Sequence, residues 1–220
     1  MDNFDKDLDF VFQRLLYDLN EKDVSKLREI RAKLSFLHRQ QLVKSNHSIM
    51  ELVIAKYFIS KGYDVDIERK VSKNLVCDLY CKSDGETIIV EVETGFVPPE
   101  NARDPVTYRF VRIVSKIARY SLFANRFFLA TPVYHILQIP RFFLIPPNER
   151  EEYFEEAIYL KKVCDKYYKR PPITLKELMG GKLDGILVVN VDEGIVFPMI
   201  AKDYYGLFID KLIKMSLVKY

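Results

Sequence analysis

The fold is decided by residues 75–94, whose sequence is LVCDLYCKSDGETIIVEVET. Two apolar runs, 75–81 and 87–94, are rich in the aliphatic and aromatic residues that favour β-strands. Between them, Ser83-Asp84-Gly85 has the composition of a tight turn. The stretch therefore predicts an antiparallel β-hairpin.

Acidic residues interrupt both strands of this predicted hairpin. Asp78 lies within the first apolar run, and Glu91 and Glu93 lie in the second. Because alternate residues of a strand share one face, Glu91 and Glu93 project together with Ile89, away from the valines between them. Pairing of the two strands brings Asp78 close to both glutamates.

The segments on either side extend the hairpin into an α/β unit. Apolar residues recur at helical spacing over 50–58, with Asn46 or Ser48 as a possible N-cap. A further strand is predicted over 64–71, a helix over 106–123 and a buried strand over 126–131. The predicted order is helix, three strands, helix, strand.

The remaining chain supplies an addition at each end. Residues 1–44 carry two runs of helical periodicity and predict a helical hairpin, whose apolar stripe either packs on the main domain or pairs with a second copy. Residues 45–135 form the predicted core. Residues 136–220 predict an α+β extension that packs on the core, with a charged helix over 148–168, strands over 183–191 and 194–201, and a helix over 204–217.

Composition favours a packed globular protein. Of the 220 residues, 49% are hydrophobic and 30% are charged, and the net charge of +3 permits a nucleic-acid partner without requiring one. The odd set of cysteines, Cys77, Cys81 and Cys164, contains no C-x-x-C pair and argues against a disulfide framework or a zinc module. With an acidic beginning and no membrane-length apolar run, we expect a cytoplasmic protein without a membrane partner.

The acidic residues on one sheet face suggest a metal site. Crowded carboxylates repel one another unless a cation or a proton neutralises them. Oxygen ligands suit Mg²⁺ or Mn²⁺, which keep several waters and bridge to substrate phosphates. Such an ion polarises a phosphate and activates water, so hydrolysis of a phosphodiester is the chemistry that fits.

A helix glutamate, an aspartate on one strand and a glutamate on the next resemble the motif of the PD-(D/E)xK nuclease superfamily. The positions that match are Glu51, Asp78 and Glu91. The resemblance covers residues 45–131 and implies a restriction-endonuclease-like core, a central mixed β-sheet flanked by helices. It further implies a metal-dependent DNA nuclease, often homodimeric, close to RecB-type nucleases, archaeal Holliday-junction resolvases and nucleases of archaeal viruses.

The sequence departs from that motif at Glu93, where the superfamily usually has a lysine that orients the attacking water. In related RecB-type nucleases the following helix carries Gln-x-x-x-Tyr, and here the matching positions are Lys116 and Tyr120. The resemblance therefore implies Lys116 as the substitute lysine, supported by Tyr120, with Glu93 as a further metal ligand or a base. His47, one helical turn before Glu51, is a candidate metal ligand or a solvent-facing histidine.

Basic residues recur along the predicted helix over 106–123. At 100° per residue they share one stripe, and further arginines before and after the helix extend the positive region. Such a stripe can neutralise DNA phosphates, although a solvated helix face is the alternative. The stripe consists of Arg109, Arg112, Lys116 and Arg119, and the extensions are Arg103 and Arg126.

Three alternatives remain open. Glu91 and Glu93 are also compatible with the wet face of an edge hairpin, paired with lysines across the ladder. If glutamate at position 93, in place of the usual lysine, abolishes catalysis, the chain would be a non-catalytic DNA-binding or assembly protein on a degenerate nuclease core. The third possibility is a protein-interaction scaffold that neither cuts nor binds DNA.

Overall fold

The computed structural model describes residues 3–207. The strands form one six-stranded sheet in the order β1-β2-β3-β4-β5-β6, with β3, β4 and β5 parallel and the other neighbours antiparallel. The α-helices are α1 (Asn3–Leu15), α2 (Glu21–Arg39), α3 (Ser45–Ile59), α4 (Pro105–Tyr120), α5 (Phe154–Cys164) and α6 (Leu175–Gly180). The strands are β1 (Asp64–Ser72), β2 (Leu75–Ser83), β3 (Glu86–Val92), β4 (Arg126–Pro132), β5 (Gly185–Asn190) and β6 (Ile195–Ile200).

The predicted α/β class is confirmed: the sheet is mixed and open, with helices on both faces. One core contains Ile88, Val90 and Val92 together with residues of α1, α2 and α3. The other contains Ile89 and Phe127 with residues of α4, α5 and α6. Successive residues of β3 therefore point to opposite faces of the sheet, as predicted. Because β3 lies inside the sheet, both of its faces are covered, and each face contributes to a different core.

The N-terminal helical hairpin packs within the same chain. Leu8 of α1 and Leu27 and Leu34 of α2 are completely buried and share a core with α3. The apolar stripe thus covers the outer side of α3. Among residues 3–207, no helix combines the length and the apolar character that a membrane span requires.

Two predictions of local structure need correction, and a third falls mostly outside the described residues. The cap at Asn46 or Ser48 is wrong, because α3 begins at Ser45 with Lys44 as its N-cap residue, which makes no side-chain capping bond. The helix over 148–168 is instead a 3₁₀ segment, Pro147–Tyr153, followed by α5. Residues 201–207 are helical, and the predicted helix over 204–217 lies outside the described residues from 208 onward.

Candidate metal centre

The acidic residues lie where the ladder between β2 and β3 ends. Cα pairing runs from Ser83↔Glu86 to Leu79↔Val90. Beyond Leu79, side chains replace the backbone bonds: the Val92 amide donates to Oδ2 of Asp78 at 2.6 Å, and the Asp78 amide donates to Oε1 of Glu91 at 3.1 Å. The two carboxylates therefore accept hydrogen bonds from backbone amides at the end of the ladder, and these bonds hold Asp78 and Glu91 close together.

Glu91 and Glu93 are buried, each with 2% of its surface exposed. β3 is an interior strand, paired with β2 on one side and with β4 on the other. The wet-face alternative for these glutamates is therefore wrong. Burial of carboxylates is costly without a compensating charge, so their partners are informative.

Lys116 provides one such charge from α4. Its Nζ lies 3.4 Å from Oδ2 of Asp78 and 3.3 Å from Oε2 of Glu91, and it donates to the carbonyl oxygen of Val92 at 2.5 Å. Burial by itself would lower the pKa of Lys116, but the attraction of the carboxylates outweighs it and raises that pKa. The lysine is thus held as a cation between Asp78 and Glu91.

Glu93 has a separate cationic partner. The Nε of Arg112 donates to Oε2 of Glu93 at 3.0 Å, and the Gly95 amide donates to Oε1 at 3.1 Å. Burial opposes ionisation, but Lys116 and Arg112 prevail and the pKa of Glu93 is lowered. Glu93 is therefore held in its ionised form, in contrast to Glu91, whose pKa burial and Asp78 raise to about 8.

Glu51 enters the site from α3. Its side chain is fully buried, and among the described residues neither carboxylate oxygen has a hydrogen-bond partner. Burial, followed by Asp78 and Glu68, raises its pKa well above the usual range. An unsatisfied buried carboxylate is uncommon in proteins and requires an explanation.

His47, Glu51 and Asp78 each offer a ligand atom, and these atoms lie within 4.8 Å of one another. His47 is one turn before Glu51 on α3, as its sequence position predicts. Burial lowers the pKa of His47, which favours the neutral imidazole with a lone pair for coordination. The three side chains form a candidate divalent-metal site, with the unpartnered Glu51 carboxylate as its most direct support.

Glu68 belongs to the same cluster, although the sequence analysis missed it. It lies between the pairs Ile67↔Leu79 and Arg69↔Cys77, which places it opposite Asp78. Burial and Asp78 raise its pKa to about 7. Its φ of 46° is in the left-handed region, which costs on the order of 1–2 kcal/mol for a residue with a side chain. No local sequence signal predicts that conformation inside a strand.

A histidine beyond β4 completes the surroundings of Glu93, and the sequence analysis did not identify it. His135 Nδ1 lies 2.8 Å from Oγ1 of Thr131, and its Nε2 contacts the Arg109 guanidinium. Gly95 has a φ of 79°, and a Cβ added to it would lie 2.5 Å from the imidazole. The glycine therefore allows a close approach by the His135 side chain.

The basic stripe of α4 is engaged inside the protein. Arg112 and Lys116 contact acids of the site, Arg109 contacts His135, and Arg119 donates to the Pro171 carbonyl at 2.6 Å. The guanidinium of Arg119 also lies 4.9 Å from the ring centroid of Tyr168. The alternative of a fully solvated helix face is therefore wrong, because each of these four cations contacts another group of the protein.

The two flanking arginines lie apart from this cluster. Arg126 is level with Ile88 in the parallel ladder, so along β3 it lies about 16 Å from Glu93. It is 3.8 Å from Glu86 at that far end. Arg103 is exposed in the loop before α4. The positive region predicted to run from Arg103 to Arg126 is therefore not one continuous surface.

Tyr120 lies at the end of α4, on the side of the acids. Burial, followed by the charges of Glu91 and Asp78, raises its pKa, so its hydroxyl stays protonated. Its proximity to these acids agrees with the supporting position that the sequence predicts.

A basic two-stranded segment lies beside the site. Residues 69–77 of β1 and β2 pair only with each other, because the pairing of β2 with β3 stops at Leu79. This segment, which we call the basic arm, contains Arg69, Lys70 and Lys73 and no acidic residue. All three cations are exposed, and Arg69 lies over the ring of Tyr80 at 4.2 Å.

Fold and site together define an α/β protein in which five acids, a histidine, a lysine and an arginine converge at the end of β3. Comparison with models of protein families, with curated proteins and with solved structures found no match.

Proposed function

We propose that this protein is a metal-dependent DNA nuclease that hydrolyses phosphodiester bonds. The observation that carries the proposal is the position of Lys116, whose Nζ lies within 3.4 Å of both Asp78 and Glu91. In the nuclease motif that the sequence resembles, a lysine beside these acids comes from the strand position that Glu93 occupies here. Lys116 supplies the same chemical group from α4.

The order of elements supports a restriction-endonuclease-like core for this proposal. α3 is followed by the three antiparallel strands β1, β2 and β3, then by α4 and the parallel strand β4. That order is the one the resemblance implies, with Glu51, Asp78 and Glu91 at the expected positions. The same resemblance motivates the proposal that the nuclease acts as a homodimer on branched, recombination or repair DNA.

The residues present fit a divalent cation. Two carboxylates and a neutral imidazole suit Mn²⁺, and the oxygen ligands alone suit Mg²⁺. We assign Glu51, Asp78 and His47 as ligands, with Glu91 beside them. An ion at this position would also neutralise the Glu51 carboxylate, which has no partner among the described residues. When bound, the ion would polarise the scissile phosphate and lower the pKa of a coordinated water.

The protein's own groups then have distinct tasks. Lys116 keeps Asp78 and Glu91 close together and offers its protons toward a phosphate oxygen or the attacking water. Arg112 holds the Glu93 carboxylate in place through their 3.0 Å bond, so the ionised Glu93 can accept a proton from that water. Tyr120 remains protonated and adds a dipole beside Glu91.

We place the phosphate backbone that flanks the cut on the basic arm. The cations of α4 are already engaged with protein groups, whereas Arg69, Lys70 and Lys73 are exposed beside the acids. Exposed cations attract phosphates and release counterions on binding. The predicted DNA contact therefore moves from the helix to the arm.

The test is incubation of the full chain with linear, branched and single-stranded DNA in Mg²⁺, Mn²⁺ or chelator. We expect cutting that requires the metal and is lost in Asp78→Asn and Glu51→Gln, while Glu100→Gln, at an exposed glutamate, retains it. DNA binding without cutting by the unchanged protein would favour the non-catalytic alternative. Absence of both binding and cutting would favour the scaffold.

A further inference from the structure

A cleft opens directly onto the acidic cluster. Its volume is about 570 Å³, and the residues that line it include Leu42, Lys44, His47, Glu68, Phe96 and Arg112. His47 is one of the candidate metal ligands, Glu68 belongs to the acidic cluster, and Arg112 binds Glu93. A molecule in this cleft therefore lies against the candidate metal centre.

The lining of the cleft also combines an aromatic ring with a cation. Phe96 is 55% exposed, and the Nζ of Lys44 lies 4.7 Å from its ring centroid. Leu42 beside them is 67% exposed. Ligand-binding clefts typically combine apolar and aromatic side chains with a few polar groups, as this cleft does. An aromatic plane next to a cation suits a nucleobase with its attached phosphate.

The size of the cleft distinguishes a single strand from a duplex. A volume of 570 Å³ corresponds to a cube about 8 Å on edge, whereas the major groove of a B-form duplex is by itself about 12 Å wide. A base that is stacked and paired inside a duplex cannot present its face to Phe96. An internal base must therefore leave the stack before it can lie on Phe96.

We propose that this cleft binds an unpaired nucleotide next to the scissile phosphate, with its base on Phe96 and its phosphate at Lys44. The preferred substrate is then single-stranded DNA, or the unpaired segment of a frayed, flapped or branched DNA. This inference rests on the proposed nuclease function and specifies its substrate class. The selectivity comes from stacking and is tolerant of sequence, because every base has an aromatic face.

The test measures binding separately from cutting. In chelator, the full chain is titrated into a labelled oligonucleotide, the blunt duplex of the same sequence, and that duplex with a single-stranded tail, and fluorescence anisotropy reports the Kd. We expect the single-stranded and tailed DNAs to bind at least about tenfold more tightly than the blunt duplex. Phe96→Ala should weaken that binding by about tenfold, the size expected for one stacked base.

Two further variants make the result specific. Phe96→Tyr keeps the ring and should bind like the unchanged protein. Phe197→Ala removes a phenylalanine of similar exposure, 49%, from β6 and should also leave binding unchanged. Equal affinity for blunt duplex and single strand, or an unaltered Kd in Phe96→Ala, overturns the proposal.

A cleavage assay in Mn²⁺ separates this proposal from the nuclease function. Cutting of blunt duplex as fast as of single strands overturns the substrate class and leaves the nuclease standing. Binding of single strands that is weakened by Phe96→Ala, without any cutting by the unchanged protein, supports the nucleotide-binding cleft and contradicts the proposed nuclease function.

Discussion

The Nζ atom of Lys116 lies 3.3 Å from Oε2 of Glu91, and the two side chains are 13% and 3% exposed. One comes from a helix and the other from an interior strand, so only packing of α4 on the sheet creates the pair. The same nitrogen reaches Asp78 and the Val92 carbonyl oxygen. This contact links the proposed metal ligands to a group that can act on the substrate.

Replacement of Lys116 tests that link. We expect Lys116→Met to reduce the rate of DNA cutting by about a hundredfold or more, the scale of a lost acid-base group, while the circular-dichroism spectrum is retained. Lys161→Met is the control, since Lys161 is also a helical lysine paired with an aspartate, Asp165 at 2.7 Å, but on α5. Unchanged cutting by Lys116→Met would refute the role of the substitute lysine.

Removal of the Glu51 charge should separate stability from metal binding. The pKa of Glu51 is higher in the folded protein than in the unfolded chain, so the folded protein keeps the Glu51 proton at pH values where the unfolded chain releases it. The protonated Glu51 therefore contributes stability that is fully present below pH 4.5 and is lost as the pH rises. In chelator, Glu51→Gln should therefore melt at a higher temperature than the unchanged protein at pH 8.5, by about 2–4 °C for each kcal/mol recovered, and by less at pH 5.5.

When the same melting temperatures are measured with Mn²⁺ in place of chelator, the unchanged protein should gain more than Glu51→Gln. Mn²⁺ should raise the melting temperature of the unchanged protein and of Glu100→Gln, because it binds only the folded state, and should leave Glu51→Gln unmoved. If Mn²⁺ stabilises Glu51→Gln as strongly as the unchanged protein, Glu51 is not a metal ligand.

Metal affinity should rise with pH. The negative charge around the proposed ligands depends on Glu68, whose pKa is raised to about 7, and on Glu91, whose pKa is raised to about 8. As pH rises from 6 to 8.5 both groups lose their protons, so the Kd for Mn²⁺ measured by calorimetry should fall by at least about tenfold. A Kd that is constant across this interval would contradict a site surrounded by these acids.

The basic arm should account for the salt dependence of DNA binding. Each phosphate contact contributes about −0.7 to −0.9 to the slope of log K against log salt. Replacement of Arg69, Lys70 and Lys73 by glutamine should reduce the steepness of that slope by about 2–3. The matched control replaces Lys161, Lys162 and Lys166, on and after α5. A larger reduction of the salt slope in the control variant would contradict the proposal and indicate that DNA binds on the α5 side of the protein.

Gly95 and Gly62 form a matched pair for the contact with His135. Both have positive φ, 79° and 86°, but an added Cβ meets the His135 imidazole at Gly95 and nothing within 4 Å at Gly62. Gly95→Ala should therefore lower the free energy of unfolding by about 1–3 kcal/mol more than Gly62→Ala, as overpacking does. Denaturant titration of the two variants measures this difference, and equal losses would argue against the close contact.

Local patterns in the sequence determined most of the elements that surround the site. Alternation over 87–94 identified β3 and the direction of Glu91 and Glu93, and helical periodicity identified α4, because these periods depend only on backbone geometry. The helix α6 was missed although Thr174 and Glu177 form a capping box, which is itself a local signal.

Only the tertiary structure decided which charges meet. The sequence gives Arg112, Lys116 and Arg119 one helical stripe, but whether that stripe faces solvent or the sheet depends on docking of α4 between distant elements. Glu68 joins the acids through a left-handed backbone conformation that no neighbouring residue predicts. Burial and long-range charge set the state of each group, and both arise only when the chain is packed.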